Sequence, residues 1–233
     1  MLTKGGIILT NKSLLKVENL YFSYDKVTIF DDLSFTVCPG EIIGLLGKNG
    51  SGKTTLLKLL SGELEKNNKS IQRYESNLFI PTNLYMYPFL TVREFISYIS
   101  NILKKDTHSI SKYVEQMSLS SYYDSLINSL SFGTKNKLSL LCGLLESPPL
   151  LLLDEPLTGF DPITTSVTEN ILLEVVKQNK IKSIIISSHR LDIINNICNR
   201  IIILKDNNIV LDKYTKDLNN LDTETINSYL KGD

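Results

Sequence analysis

The stretch Gly47-Lys48-Asn49-Gly50-Ser51-Gly52-Lys53-Thr54 decides the fold. Before it, Glu41-Ile42-Ile43-Gly44-Leu45-Leu46 is a short apolar run with the composition of a buried strand, and after it Thr55-Leu56-Leu57-Lys58-Leu59-Leu60 reads as a helix. Placed between a strand and a helix, Gly-x-x-x-x-Gly-Lys-Thr is a phosphate loop; without that context it is only a glycine-rich turn with a surface lysine. Its glycines let successive N–H groups turn inward on an anion, and the helix that follows adds its positive dipole end. On this reading Gly47, Lys48, Asn49, Gly50, Ser51, Gly52, Lys53, Thr54 and Thr55 cradle phosphates. Lys53 reaches the β- and γ-phosphates, and the Thr54 hydroxyl ligates Mg²⁺.

Upstream, Leu14 to Phe22 and Leu33 to Val37 alternate in the manner of half-exposed strands, with Ser23-Tyr24-Asp25-Lys26 as a polar turn between them. Pro39-Gly40 turns the chain into the phosphate-loop strand. Downstream, Gly62 to Ser70 reads as a surface loop and Asn77-Leu78-Phe79-Ile80 as a short strand stopped by Pro81. From Thr91 to Glu146 the pattern turns helical. Thr91-Val92-Arg93-Glu94 is a capping box that opens a helix to about Leu103. A second helical segment covers Ile110 to Met117, and a third starts near Ser131 and stops at Pro148-Pro149.

Strand logic then returns. Leu150-Leu151-Leu152-Leu153 and Ser183-Ile184-Ile185-Ile186-Ser187 are continuous apolar runs, as expected of parallel strands covered on both faces. Asp161-Pro162 opens a helix between them. Arg200 to Leu204 and Asn208 to Leu211 flank a Lys205-Asp206-Asn207 turn, and Asp222 to Leu230 reads as a short amphipathic helix. The expectation is an α/β fold with a mainly parallel central sheet, an N-terminal antiparallel β part and a helical part. It divides into a core over residues 14–90 and 147–213, a helical lobe over 91–146 and a tail helix over 214–233, all in one domain.

Composition narrows the functions. The 233 residues carry 25 basic and 25 acidic side chains, a balance that argues against a nucleic-acid binder with a broad basic face. Cys38, Cys142 and Cys198 are scattered with no Cys-x-x-Cys pair, which suits a reducing cytosol and indicates neither zinc nor disulfides. Met1 to Thr10 lacks the pattern of a cleaved signal, and nowhere do roughly eighteen apolar residues run together. Membrane work would need another chain to supply the membrane part.

Asp154-Glu155-Pro156 directly follows the leucine run. A buried strand that delivers two carboxylates at its C-terminal end puts them where open α/β sheets bind ligands. Asp154 would hold Mg²⁺ through its water shell, and Glu155 would orient or deprotonate an attacking water. Taken alone, such a pair also serves solubility.

With these motifs in place, the chain from about Leu14 to Leu211 resembles the ATP-binding subunits of ABC (ATP-binding cassette) transporters. Leu130-Ser131-Phe132-Gly133-Thr134 stands where that family has its signature loop, and Thr158-Gly159-Phe160-Asp161 resembles the loop that communicates across its dimer. His189 matches the switch histidine and Tyr24 the aromatic residue that stacks on adenine. The resemblance implies a Mg²⁺-dependent ATPase that works in the cytoplasm at the inner face of the membrane and drives an integral membrane permease. Two copies, or this chain and a second ATP-binding subunit, would sandwich ATP, with Ser131 and Gly133 meeting the γ-phosphate held by the other subunit. Glu155, His189 and Lys53 would carry catalysis.

Several residues keep plainer readings open. Ser131 also fits an ordinary helix cap, Tyr24 a turn tyrosine packed on its own sheet, and His189 a surface histidine. The sequence departs from the family at two places. Thr82 occupies the position of a glutamine that contacts Mg²⁺ and water, with Asn83 beside it, and Phe132 replaces a glycine. The aromatic stretch Leu84-Tyr85-Met86-Tyr87-Pro88-Phe89-Leu90 reads either as a permease-docking surface or as core of the helical lobe. Residues 131–138 look more like antibiotic or multidrug exporter subunits than importers. The rival class is a soluble ABC-type ATPase in assembly, translation or repair, although the second cassette or long coiled coil of such proteins is missing.

Overall fold

The computed structural model describes residues 13–65, 68–105 and 107–217, together with Ile226 and Tyr229. Most of the expected tail helix, and the stretch read for a signal, lie outside the described residues. The chain order is β1 (Leu15–Tyr24), β2 (Val27–Val37), β3 (Ile42–Gly47), α1 (Lys53–Ser61), β4 (Ile71–Arg73), β5 (Asn77–Ile80), α2 (Val92–Leu103), α3 (Thr107–Gln116), α4 (Phe132–Glu146), β6 (Leu150–Asp154), α5 (Pro162–Lys177), β7 (Ser183–Ser187), α6 (Leu191–Ile197), β8 (Arg200–Lys205) and β9 (Asn208–Tyr214).

Two sheets result. The larger has the order β5-β6-β7-β3-β8-β9, parallel throughout except for the hairpin strand β9 at its edge. The smaller, β2-β1-β4, is antiparallel. Alternation in the central strands sorts their side chains into two cores. Leu151, Leu153, Ile184, Ile186, Ile201 and Ile203 join the cluster under α2 to α6, while Leu150, Leu152, Ile185, Ile202 and Leu204 join α1 and the antiparallel sheet on the other face. Each of these residues is almost wholly removed from water, which stabilises by about 1.5–3 kcal/mol per side chain. Covered on both faces, the strands read as unbroken apolar runs.

The α/β architecture with an antiparallel β part and a helical part is the one the sequence predicts. Three local expectations need correction. β2 begins at Val27 rather than Leu33, and the turn before it is only Asp25-Lys26, with Asp25 at φ 48°. Its outer half was hidden because the β1–β2 ladder is bulged: Asn19 and Asp32, both at positive φ, bond to each other across it and break the alternation. β4 and α6 are additional. The first is only three residues long, and the second is seven residues that bury Ile193, Ile194 and Ile197. Among the described residues no helix is long and apolar enough to cross a membrane.

Candidate functional site

β3 runs out at Gly47, and the loop to α1 curls over the C-terminal edge of the parallel sheet. Gly52 precedes the helix at φ 95°, and a Cβ there would lie 2.8 Å from the Phe30 ring, so only glycine fits. Lys53 opens α1, and its Nζ donates to the carbonyls of Gly47 (2.8 Å) and Lys48 (3.2 Å). Burial lowers its pKa from the ordinary lysine value, partly offset by the negative charges of Glu155 and Asp154. Ser51 Oγ is buried and has no hydrogen-bond partner among the described residues, a spare donor inside the loop.

β6 enters the same edge beside β7. The Asp154 carboxylate accepts from Thr54 Oγ1 (2.8 Å) and from Ser187 Oγ (2.6 Å), and its carbonyl accepts from Thr82 Oγ1 (3.0 Å). After Asp154 the backbone turns sharply, with Glu155 at φ 50°. The Glu155 N–H donates to Ser187 O (3.2 Å) and Oγ (3.0 Å), and its carboxylate Oε2 lies 3.0 Å from His189 Nδ1. The same left-handed conformation occurs at turns elsewhere in the chain, such as Asp25 and Asn207, and here it turns the chain directly after the Asp154 carboxylate.

These residues meet in one cleft of about 340 Å³, lined by Asn49, Gly50, Gly52, Lys53, Thr54, Thr55, Thr82, Asp154 and Glu155, all expected, and by Ile29, which was not. Gly47 backs the loop, and Lys48 and Ser51 face a second depression against the Lys205-Asp206-Asn207 turn. His189 does not line the cleft; it meets Glu155, which does, and is largely exposed. Tyr24 is half exposed, set edge-on to Phe22 at 4.9 Å, and does not line the cleft. Ser131 and Gly133 stand apart as well. Ser131 caps α4 by accepting from Thr134 N at 3.2 Å, and a Cβ on Gly133 would lie 2.2 Å from Gly159 O. Asn136 Nδ2 donates to Thr158 O (2.9 Å), so the start of α4 is fastened to the 158–161 loop.

Ile29 and Ser187 escaped the sequence reading. Ile29 belongs to the unrecognised half of β2. Ser187 was visible only as the polar last residue of an apolar strand, and its partners lie 32 and 33 positions away.

Chemically, the cleft can hold a triphosphate chain against the loop N–H groups and Lys53, and it brings the Glu155 carboxylate, 3.0 Å from His189 Nδ1, to the same edge. The Thr54 hydroxyl and the Asp154 carboxylate put two hard oxygen donors side by side. That set fits Mg²⁺, which takes one or two protein oxygens and otherwise phosphate and water. When bound there, Mg²⁺ neutralises charge on the β- and γ-phosphate oxygens.

A phosphate loop and an acidic strand end sharing one sheet edge define a P-loop nucleoside triphosphatase. Residues 30–158 match the family model described as ABC transporter. An ABC transporter ATP-binding protein of Methanocaldococcus jannaschii, itself described as uncharacterized, is 32% identical over 198 residues, covering 83% of this chain and 75% of that protein. A tyrosine transport ATP-binding protein of Clostridioides difficile is 29% identical over 91% of this chain and 97% of its own length. Among solved structures, an ATP-binding subunit of an ABC transporter superposes with a TM-score of 0.74 at 25% identity, covering 88% of this chain and 91% of that one. The chain belongs to the ABC transporter ATP-binding family. It binds and hydrolyses ATP with Mg²⁺, and ATP-binding subunits of this family work with membrane permease components.

Proposed function

We propose that this chain is a motor subunit that pairs with a second ATP-binding subunit, itself or a homologue, and sandwiches two MgATP between them. In this reading residues 14–90 and 147–213 form the nucleotide-binding core and residues 91–146 the helical lobe. Lys53 and the 47–55 loop grip the phosphates, Thr54 and Asp154 hold the metal, and Glu155 with His189 activates water. Tyr24 offers its exposed ring to the adenine. Thr82 acts on the metal through Asp154, whose carbonyl it holds.

One observation carries the pairing. The exposed Ser131 cap and the Gly133 turn lie outside their own chain's cleft, with the start of α4 fastened to the 158–161 loop. The Thr134 N–H is taken by the Ser131 cap, and the helix-start N–H groups before it suit an anion held by a second subunit. Tyr85, 80% exposed, and Tyr87 form an aromatic patch against Tyr98 of α2, with the equally exposed Phe89 two residues further along the chain, and here the chain would dock on a permease and sit peripherally at the inner face of the membrane.

The test is a pair of variants assayed with the permease partner present. Lys53→Ala weakens ATP binding by about 10- to 100-fold, since a charge-assisted phosphate contact is lost. Glu155→Gln keeps binding, stops turnover and accumulates an ATP-dependent dimer visible by size. If Glu155→Gln turns over at the wild-type rate, or stays monomeric with MgATP, the motor reading fails.

A further inference from the structure

We infer that Ser187 is a positioning residue for the metal-holding carboxylate, the side chain that aims Asp154 from the neighbouring strand. The register of the sheet sets this up. β6 and β7 run parallel with Asp154 opposite Ser187, so the last residues of both strands reach the cleft edge together. Ser187 is fully buried, and its hydroxyl does two things at once. It donates to Asp154 Oδ1 at 2.6 Å, and it accepts from the Glu155 N–H at 3.0 Å.

The two bonds are not equally replaceable. The Glu155 N–H also donates to the Ser187 carbonyl at 3.2 Å, so the turn that carries Glu155 keeps a partner without the hydroxyl. Among the described residues Asp154 Oδ1 has no such second donor. Asp154 is 5% exposed, its other oxygen accepts from Thr54 Oγ1, and Ser187 is the donor that fixes the remaining one. Between them, Thr54 and Ser187 hold the carboxylate plane from both ends. Thr54 is itself a proposed metal ligand: a lone pair of its hydroxyl would go to the ion while its proton still donates to Asp154, so that support is tied to the ion's own position. Ser187 lies away from the cleft lining, so its hold on Asp154 does not depend on the ion. Partners that orient a metal-holding group typically change metal affinity by 10- to 100-fold when removed.

The inference rests on the reading of Asp154 as the metal-holding group, and the experiment separates the two. Full-length wild type, Ser187→Ala, Ser187→Thr and Asp154→Asn are compared for Mn²⁺ affinity by electron paramagnetic resonance in the presence of AMP-PNP. AMP-PNP affinity without metal, kcat and KM are measured alongside. Ser187→Ala is expected to weaken Mn²⁺ by about tenfold and to lower kcat, with metal-free nucleotide affinity within about twofold of wild type. Ser187→Thr, which restores a hydroxyl, is expected to recover most of the Mn²⁺ affinity. Wild-type Mn²⁺ affinity in Ser187→Ala, with Asp154→Asn impaired, overturns the role of Ser187 alone. Wild-type affinity in both overturns the Asp154 reading with it. A parallel loss of metal-free nucleotide binding in Ser187→Ala makes the residue merely structural and also overturns the inference.

Discussion

Gly133 has no space for a side chain. A Cβ built on it falls 2.2 Å from the carbonyl oxygen of Gly159, which is itself at φ 83° and would bring its own Cβ within 3.0 Å of Gly133 Cα. Here two backbones touch directly, so Gly133→Ala must push the 158–161 loop away from the start of α4. That loop begins just after Glu155, whose carboxylate accepts from Thr158 Oγ1 at 3.4 Å. Gly133→Ala is therefore expected to lower steady-state hydrolysis by tenfold or more while leaving ATP binding to the isolated chain unchanged. Equilibrium binding alongside turnover checks this, and a fall in binding as large as the fall in turnover would contradict it. Such residues were legible because their motif specifies them by type and spacing. Ser187 was not, since a serine ending a strand acquires meaning only from the residue the sheet sets beside it.

Helix ends show how local chemistry sets the elements. Asp161 begins α5 as the sequence predicts: its carboxylate accepts from Thr164 N (2.9 Å) and Thr164 Oγ1 (2.6 Å), with Lys137 Nζ at 3.6 Å. Those Thr164 bonds, helped by the Lys137 charge, lower its pKa from 3.8 to about 2. Because the folded value lies below the unfolded one, the cap contributes stability above about pH 4 and loses it as the pH falls through the folded value. Wild type should thus melt higher than Asp161→Ala at pH 5, with the gap closing between about pH 4 and pH 2. A gap that stays constant over that window would contradict this account. Caps of this kind, like the Thr91–Glu94 box that opens α2, were readable because their partners lie three residues away. The leucine run of β6 was readable for its length and burial. β4, α6 and the outer half of β2 were not, because three residues, seven residues and a bulged ladder leave too little periodicity to detect.

At the scale of the whole molecule, the two sheets must be locked together for the cleft at the C-terminal edge of the large sheet to hold its shape. The lock lies at the opposite edge and is built around Arg200, the first residue of β8. It donates to the Thr36 carbonyl at the end of β2 (2.7 Å), to Glu41 just before β3 (3.1 and 3.2 Å) and to both carboxylate oxygens of Asp212 on β9 (2.7 Å each). Glu41 also accepts from the Cys38 N–H and from Tyr214. Burial opposes the guanidinium's charge, yet Asp212 and Glu41 more than compensate and hold its pKa above the ordinary arginine value. Removing one member of such a buried pair leaves the other desolvated and unmatched, at a cost of about 3–5 kcal/mol. Arg200→Met keeps much of the side-chain bulk and strands Glu41, which is 3% exposed. Urea unfolding should show that loss as a lower midpoint with little change in slope. Because the 47–55 loop is at the far end of β3, ATP affinity of the folded fraction should match wild type at low denaturant. An unchanged midpoint would mean the network adds nothing to stability. A lower midpoint with weakened ATP binding in the folded protein would mean that the two edges of the sheet are coupled.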